Sequence, residues 1–365
     1  MIALISHKRK VLLAPLVAFT LGLAACAPQQ QAPPTTTPGE QGTQPPAGGQ
    51  AVSLTGAGAT FPAPLYQRWF AEHNKQNPNV QVSYQSVGSG AGVEQFTQQT
   101  VDFGASDVAM TDEEIAKVDR GVVLLPMTAG SIVLGYNLPD VDQSLKFSRQ
   151  VYTDIFLGKI KNWNDPAIAK LNPDVKLPDT PITVVYRSDG SGTTGVFTKH
   201  MSAISPEWQQ KVGEGKTVSW PTGIGAKGNE GVTAQILQTQ GAIGYIEYGY
   251  AKLQNISMAT IENKSGNFVE PNVESFETTL DAVTLPENLR EFIADPEGEN
   301  SYPIVSYSWI LAYGNYPANK GEAFKSVMNW ALTEGQNFAP ELGYIPLPAS
   351  VVEKVQAKLD TIEVK

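Results

Sequence analysis

The sequence predicts an α/β protein built as two lobes with a ligand cleft between them. Beyond Gln50, short β-rich runs alternate with helical ones, the order that makes a mostly parallel sheet covered by helices. At 365 residues the chain exceeds one typical core, so two domains are expected. Two long apolar, β-rich runs, near Val122–Leu138 and near Tyr302–Ala312, are placed to cross between these domains. A chain that crosses twice builds one lobe from both its ends and the other from its middle. That layout leaves a hinged cleft suited to capture by closure. The expected limits are 51–128 with 310–365 for the first lobe and 129–309 for the second.

Residues 1–50 read as processing and tethering segments. His7-Lys8-Arg9-Lys10 is basic, Val11–Leu23 is apolar, and Ala24-Ala25 place small residues before Cys26. This is the order of a secretory signal, and the apolar run is short for a membrane span. Leu23-Ala24-Ala25-Cys26 resembles a bacterial lipobox, which implies removal of 1–25 and a lipid on the sulfur of Cys26. Cys26 is the only cysteine, so an intramolecular disulfide and a thiolate metal cluster are both excluded. Residues 26–50 are rich in Pro, Gln, Thr and Gly without apolar periodicity, the composition of a disordered tether.

The body then unfolds in order. Val52–Leu54 is a strand leading through GAGAT into a helix over Pro62–Asn77, where Leu65, Trp69 and Phe70 share a face. Val80–Ser86 alternates as a strand, and GSGAG leads into a helix at Val93–Gln99. Val101–Ala105 is a short strand, and Thr111 caps an acidic first helical turn, Asp112-Glu113-Glu114. A second α/β unit follows, with a helix at Val151–Leu157, a strand at Ile182–Tyr186 and a helix at Thr194–Ala203. Gly231–Gln240 fits a helix and Ala242–Tyr245 a strand; Lys320–Thr333 and Ser350–Leu359 close the chain as helices.

Three Gly/Ser/Thr stretches stand where helices open: Gly56–Phe61, Val87–Gly92 and Arg187–Thr194. A helix start leaves up to four N–H groups without intrahelical partners, and the macrodipole adds positive potential there. Glycine admits a ligand close to the main chain, and hydroxyls add donors, so three such starts suggest a cage for a small oxyanion. Arg187 offers a planar fork for such an ion, and Asp189 is placed to hold that fork. The formal charge of −10 lacks the basic footprint of a nucleic-acid binder, so positive potential must be local.

Other chemistries fit poorly. Gly190–Gly195 satisfies G-x-G-x-x-G, yet Arg187-Ser188-Asp189 intervenes after the strand, and no second strand ends in an acid about twenty residues on. Neither Ser89 nor Ser191 sits in a G-x-S-x-G elbow. Beyond residue 25 the imidazoles are His73 and His200, too few for a transition-metal site, and His200 is expected on the surface.

Several blocks, in order, resemble one family. LTGAGATFPAPLY, VDFGASD, IFLGKIKNWNDPAIAKLNP, RSDGSGTT and GAIGYIEYGYA are similar to bacterial periplasmic phosphate-binding proteins, the substrate-capturing subunits of a phosphate ABC importer. The similarity runs from about Leu54 to Ala251 and continues more loosely to Val355, with Gln254–Asn300 matching least. It implies a type II periplasmic-binding-protein fold with a two-strand hinge. It also implies phosphate contacts from Thr60, Phe61, Ser89 and Asp107 on one lobe and from Arg187, Ser191, Gly192 and Thr193 on the other. Asp189 would support Arg187. The implied partners are inorganic phosphate and the importer's membrane permease subunits. The implied protein is a monomer without cofactor, metal or nucleic acid, lipid-anchored outside the cytoplasmic membrane. A binding protein for another tetrahedral oxyanion and a secreted phosphoester hydrolase are the alternatives. Tyr186 departs from the family pattern, standing where some members carry a basic residue before the arginine.

Overall fold

The structure, a computed structural model, describes residues 51–365. The signal segment, the tether and Cys26 lie outside the described residues. Among the described residues, no helix is long and apolar enough to cross a membrane.

The chain opens with strand β1 (Val52–Gly58), helix α1 (Ala63–Gln76), β2 (Val80–Ser86), α2 (Ser89–Thr97) and β3 (Phe103–Ser106). β1 pairs in parallel with both β2 and β3. α1 buries Leu65, Tyr66, Trp69 and Phe70, the face read from their spacing. β2 keeps a strict half-buried, exposed alternation, the signature of a strand with one wet face. A single capped turn, α3 (Asp112–Ile115), follows, with Thr111 and Glu114 forming a reciprocal capping box.

The apolar run expected near Val122–Leu138 forms one strand, β4 (Val122–Tyr136), almost wholly buried. Residues 122–131 of β4 pair antiparallel with a strand from near the C-terminus, Val305–Tyr313. Ile132–Tyr136 pair antiparallel with Ala242–Glu247 instead. β4 therefore belongs to two sheets, and the change of partner falls at Ser131/Ile132. Both residues are tied there to the carbonyl of Ile304, at 2.9 Å from the Ser131 hydroxyl and 3.0 Å from the Ile132 N–H.

After β4 come α4 (Arg149–Phe156), β5 (Thr183–Arg187), α5 (Gly192–Ile204), β6 (Ile224–Ala226), α6 (Gly228–Gln238), β7 (Ala242–Glu247) and α7 (Tyr248–Leu253). β5 pairs in parallel with β6 and β7, building the second sheet. The returning strand, β8 (Val305–Tyr313), lies antiparallel between β3 and β4. Helices α8 (Ala318–Leu332) and α9 (Ala349–Asp360) close the chain. Two parallel-rich sheets joined through β4 are the two-lobed arrangement the sequence predicts.

Pro126 leaves a mark on this junction. It has no N–H for the ladder, and the β4–β8 register steps past Met127 between the pairs Ser308–Thr128 and Trp309–Pro126. Irregularities of this kind re-aim neighbouring side chains, and the residue beside this one is Ser308.

One expectation fails here. His200 is not on the surface: it is 1 % exposed, its Nε2 lies 2.8 Å from the hydroxyl of Tyr152, and the two rings stack. α5 meets its sheet through Phe197 on Tyr245 and meets α4 through Phe197 on Phe156 and His200 on Tyr152, so even this late helical position is enclosed. Burial pushes the imidazole down to about 3, with the Arg149 charge acting the same way, so His200 is neutral at physiological pH.

Candidate anion-binding site

The first half of the site hangs from the ends of β1 and β3. Gly58 has φ 151°, and a Cβ there would run into the Ala105 backbone, so only glycine lets β1 turn out of the sheet at this point. The turn delivers Thr60 and Phe61, whose carbonyls are held at 2.7 Å by the hydroxyls of Tyr250 and Tyr344. Ser89 is the first residue of α2 and is fully buried. Among the described residues, the N–H groups of Thr60, Phe61 and Ser89 meet no protein acceptor, as the start of a helix predicts.

Asp107 follows β3 and is 1 % exposed. Its Oδ1 accepts from the Ser308 hydroxyl at 2.9 Å, and its N–H donates to Ser89 Oγ at 3.2 Å. Burial pushes the carboxyl up to about 7, even though Ser308, the Arg187 charge, Ser89 and the Thr193 backbone all favour the charged form.

The second half hangs from β5. Arg187, its last residue, has a side chain only 1 % exposed. Its Nε donates to Asp189 Oδ1 at 2.8 Å and one terminal nitrogen to Oδ2 at 2.6 Å, so Asp189 grips the fork from one side. The other terminal nitrogen reaches Thr193 Oγ1 at 3.3 Å. Burial alone would raise the Asp189 carboxyl. The bonds and charge of Arg187, with the Gly228 N–H at 3.0 Å, outweigh it and hold the group below the usual carboxylate range. Ser191 caps α5 by accepting from Thr194 N at 3.0 Å, while its own N–H donates to the Lys216 carbonyl at 2.8 Å. Gly192 opens α5, and its N–H has no acceptor among the described residues.

The two halves meet. A Cβ on Gly192 would collide with Ser89 Oγ and sit 2.7 Å from Asp107 Oδ2, so glycine is what allows this approach. Gly90 N donates to the Gly190 carbonyl at 2.7 Å, a main-chain bond between two of the glycine stretches. At the rim, Lys216 pairs with Glu114 at 2.6 Å and Arg290 with Asp112 at 2.7 Å. Thr60, Phe61, Ser89, Asp107, Arg187, Asp189, Ser191, Gly192 and Thr193 thus form one cluster, although Thr60 and Thr193 stand 133 residues apart in the chain.

Sequence reasoning missed Asn229 and Ser308. Asn229 is fully buried and stands between Thr60 and Thr193, with Nδ2 2.9 Å and 3.1 Å from their hydroxyl oxygens. The signal was present in Gly228-Asn229-Glu230-Gly231, a fourth glycine-rich helix start, but the helix was expected only from Gly231. Ser308 carries no such signal, because inside an apolar strand it reads as any small residue.

Among the described residues, Arg187 is the cation whose charged group bonds within this cluster, and Asp189 matches it, so formal charge alone cannot attract an anion. Main-chain dipoles must do so, through N–H groups at the starts of α2 and α5 and in the turn before α1. The layout suits a compact oxyanion that accepts from many donors and offers one proton to Asp107.

The model of the PBP superfamily domain matches residues 35–334. The chain is 45% identical over 322 residues to the phosphate-binding protein PstS of Pasteurella multocida, covering 87% of this chain and 92% of that one. It is 43% identical over 318 residues to the PstS of Haemophilus influenzae, covering 86% and 94%. A solved phosphate-binding protein from Stenotrophomonas maltophilia shares the fold, with a TM-score of 0.68 at 20% identity over 84% of this chain and 93% of that one. The chain belongs to the PBP superfamily and, within it, to the PstS family of phosphate-binding proteins.

Proposed function

We propose that this protein captures monohydrogen phosphate between its lobes outside the cytoplasmic membrane and delivers it to the permease subunits of an ABC importer. In this reading Thr60, Phe61, Ser89, Arg187, Ser191, Gly192 and Thr193 donate to the ion, Asp107 takes the single acceptor role and Asp189 steadies Arg187. The expected lobes, 51–128 with 310–365 and 129–309, belong to this reading, and the change of β4 partners at Ser131/Ile132 supports a boundary close to the first of these limits. Removal of 1–25, lipidation of Cys26 and a tether over 26–50 would keep a monomeric body near the membrane.

The observation that carries this reading is Asp107 among donors. A carboxylate facing an anion repels it unless one proton lies between them. Monohydrogen phosphate brings that proton, whereas sulfate brings none and leaves two acceptors opposed in a dry site. An unsatisfied buried polar contact costs about 1–3 kcal/mol, and more between charged groups.

Calorimetric titration with phosphate, arsenate and sulfate tests the reading. Phosphate and arsenate should bind and compete, and sulfate should bind far more weakly at pH 8. Because the Asp107 carboxyl titrates near 7, it can supply the missing proton itself as pH falls. Sulfate affinity should therefore rise about tenfold per pH unit on going down toward 7 and then level off. Asp107→Asn should remove this dependence and narrow the preference for phosphate. Equal binding of sulfate and phosphate at pH 8 would sink the proposal, and turnover of a phosphoester would favour the hydrolase instead.

A further inference from the structure

We infer that Asn229 is a positioning residue that turns the hydroxyls of Thr60 and Thr193 into obligate donors and ties the two lobes together through them. The inference rests on the phosphate-binding reading above and assigns that site a part not yet named.

The hydrogen-bond accounting is closed. Asn229 is the second residue of α6 and fully buried. Its Oδ1 accepts from the Glu247 N–H, the end of β7, at 3.1 Å, which fixes which way the amide faces. Its Nδ2 then has two hydrogens to place, and both find threonine oxygens: Thr60 Oγ1 at 2.9 Å and Thr193 Oγ1 at 3.1 Å. The Asn229 main-chain N–H also reaches Thr60 Oγ1, at 3.1 Å. Thr193 Oγ1 receives a second bond from Arg187 at 3.3 Å.

A hydroxyl has two acceptor lone pairs and one donor hydrogen. Each of these oxygens already accepts two hydrogen bonds, so the capacity left to each is its O–H, and a ligand there must be an acceptor. A hydroxyl free to rotate could equally accept from a ligand O–H or from water. Asn229 removes that freedom before the ligand arrives, a form of preorganisation. The bonds also bridge sheets. Thr60 follows β1, while Asn229 and Thr193 follow β6 and β5, so the two bonds to Thr60 exist only while the lobes are together. A purely structural Asn229 would need its bond to Glu247 but not these.

The test is a double-mutant cycle on phosphate affinity, read by calorimetry. Asn229→Ala should weaken binding at least tenfold in the wild-type protein. In the Thr60→Val/Thr193→Val background it should weaken binding no more than twofold, because the hydroxyls it acts through are gone. Losses of equal size in both backgrounds would overturn the inference. Should Asn229→Ala fail to fold, Asn229→Leu removes the same two donors at nearly the same side-chain volume, and the cycle is read the same way. A wild-type protein that does not bind phosphate would overturn the reading on which this rests. Additive losses in a protein that does bind it would overturn the role of Asn229 alone.

Discussion

Asp107 is where the chemistry of the site and the stability of the fold conflict. Its carboxyl is raised to about 7 because burial outweighs the bonds from Ser308 and Ser89 and the charge of Arg187. An acid whose pKa is higher in the folded than in the unfolded chain stabilises the fold fully below its unfolded value, about 4, and loses that contribution as pH rises through the folded value. Glu247, also raised by burial, acts with the same sign. These two carboxyls should therefore contribute less to the ligand-free protein as pH rises from about 4 to 8, a fall set against buried His200, whose lowered pKa favours the fold as pH rises to about 6.5. Asp107→Asn should flatten part of that fall, a change on the order of a few kcal/mol. Equal slopes for wild type and variant in thermal melts would mean that Asp107 is not strained by its burial. Protonating or binding through Asp107 relieves the same cost, which is one reason a singly protonated ion suits it.

Secondary-structure elements explain what the sequence could and could not convey. The strand at Val80–Ser86 was read to the residue because its alternation is strict and one face is wet. The helix starts were read late: α2 begins at Ser89 rather than Val93, α5 at Gly192 rather than Thr194, and α6 at Gly228 rather than Gly231. Low helix propensity argues against glycine in a first turn, but here contact between lobes and open N–H groups decide. That same error hid Asn229, whose partner Thr60 lies 169 residues away. Ser308 was hidden differently, since its aim at Asp107 follows from a register step opposite Pro126 that no local pattern announces. The structure gathers the eight residues that the family resemblance named into one cluster; seven of them lie in the glycine-rich stretches, whereas Asp107 follows β3 outside them. Gly192 allows these effects to be separated. Gly192→Ala should leave the melting temperature of the open, ligand-free form close to that of the wild type, because Gly192 is the first residue of α5, outside the helix interior where propensity weighs most. It should also weaken phosphate binding about a hundredfold or more, since the added methyl meets Ser89 and Asp107 as the lobes close. A variant with unchanged affinity would contradict the close approach at Gly192.

At the scale of the whole molecule, β4 joins the two sheets and pairs with the returning β8. Among the described residues, the chain passes from one sheet to the other at Ser131/Ile132 of β4 and returns beside that point at Ile304. A few residues in such connections can absorb a hinge rotation. In the proposed reading, donors to phosphate sit on both sides of that hinge, so phosphate would make its full set of bonds only in the closed form. It can shift the open–closed balance only by that difference in affinity. The rim pairs Lys216–Glu114 and Arg290–Asp112 are partly exposed and contribute little against this, about 1 kcal/mol or less each. Small-angle X-ray scattering of the protein from residue 51 onward, with and without phosphate, tests lobe closure most directly. A smaller radius of gyration with phosphate, and none with sulfate at pH 8, is the predicted result; dimensions that do not change with phosphate would contradict capture by closure.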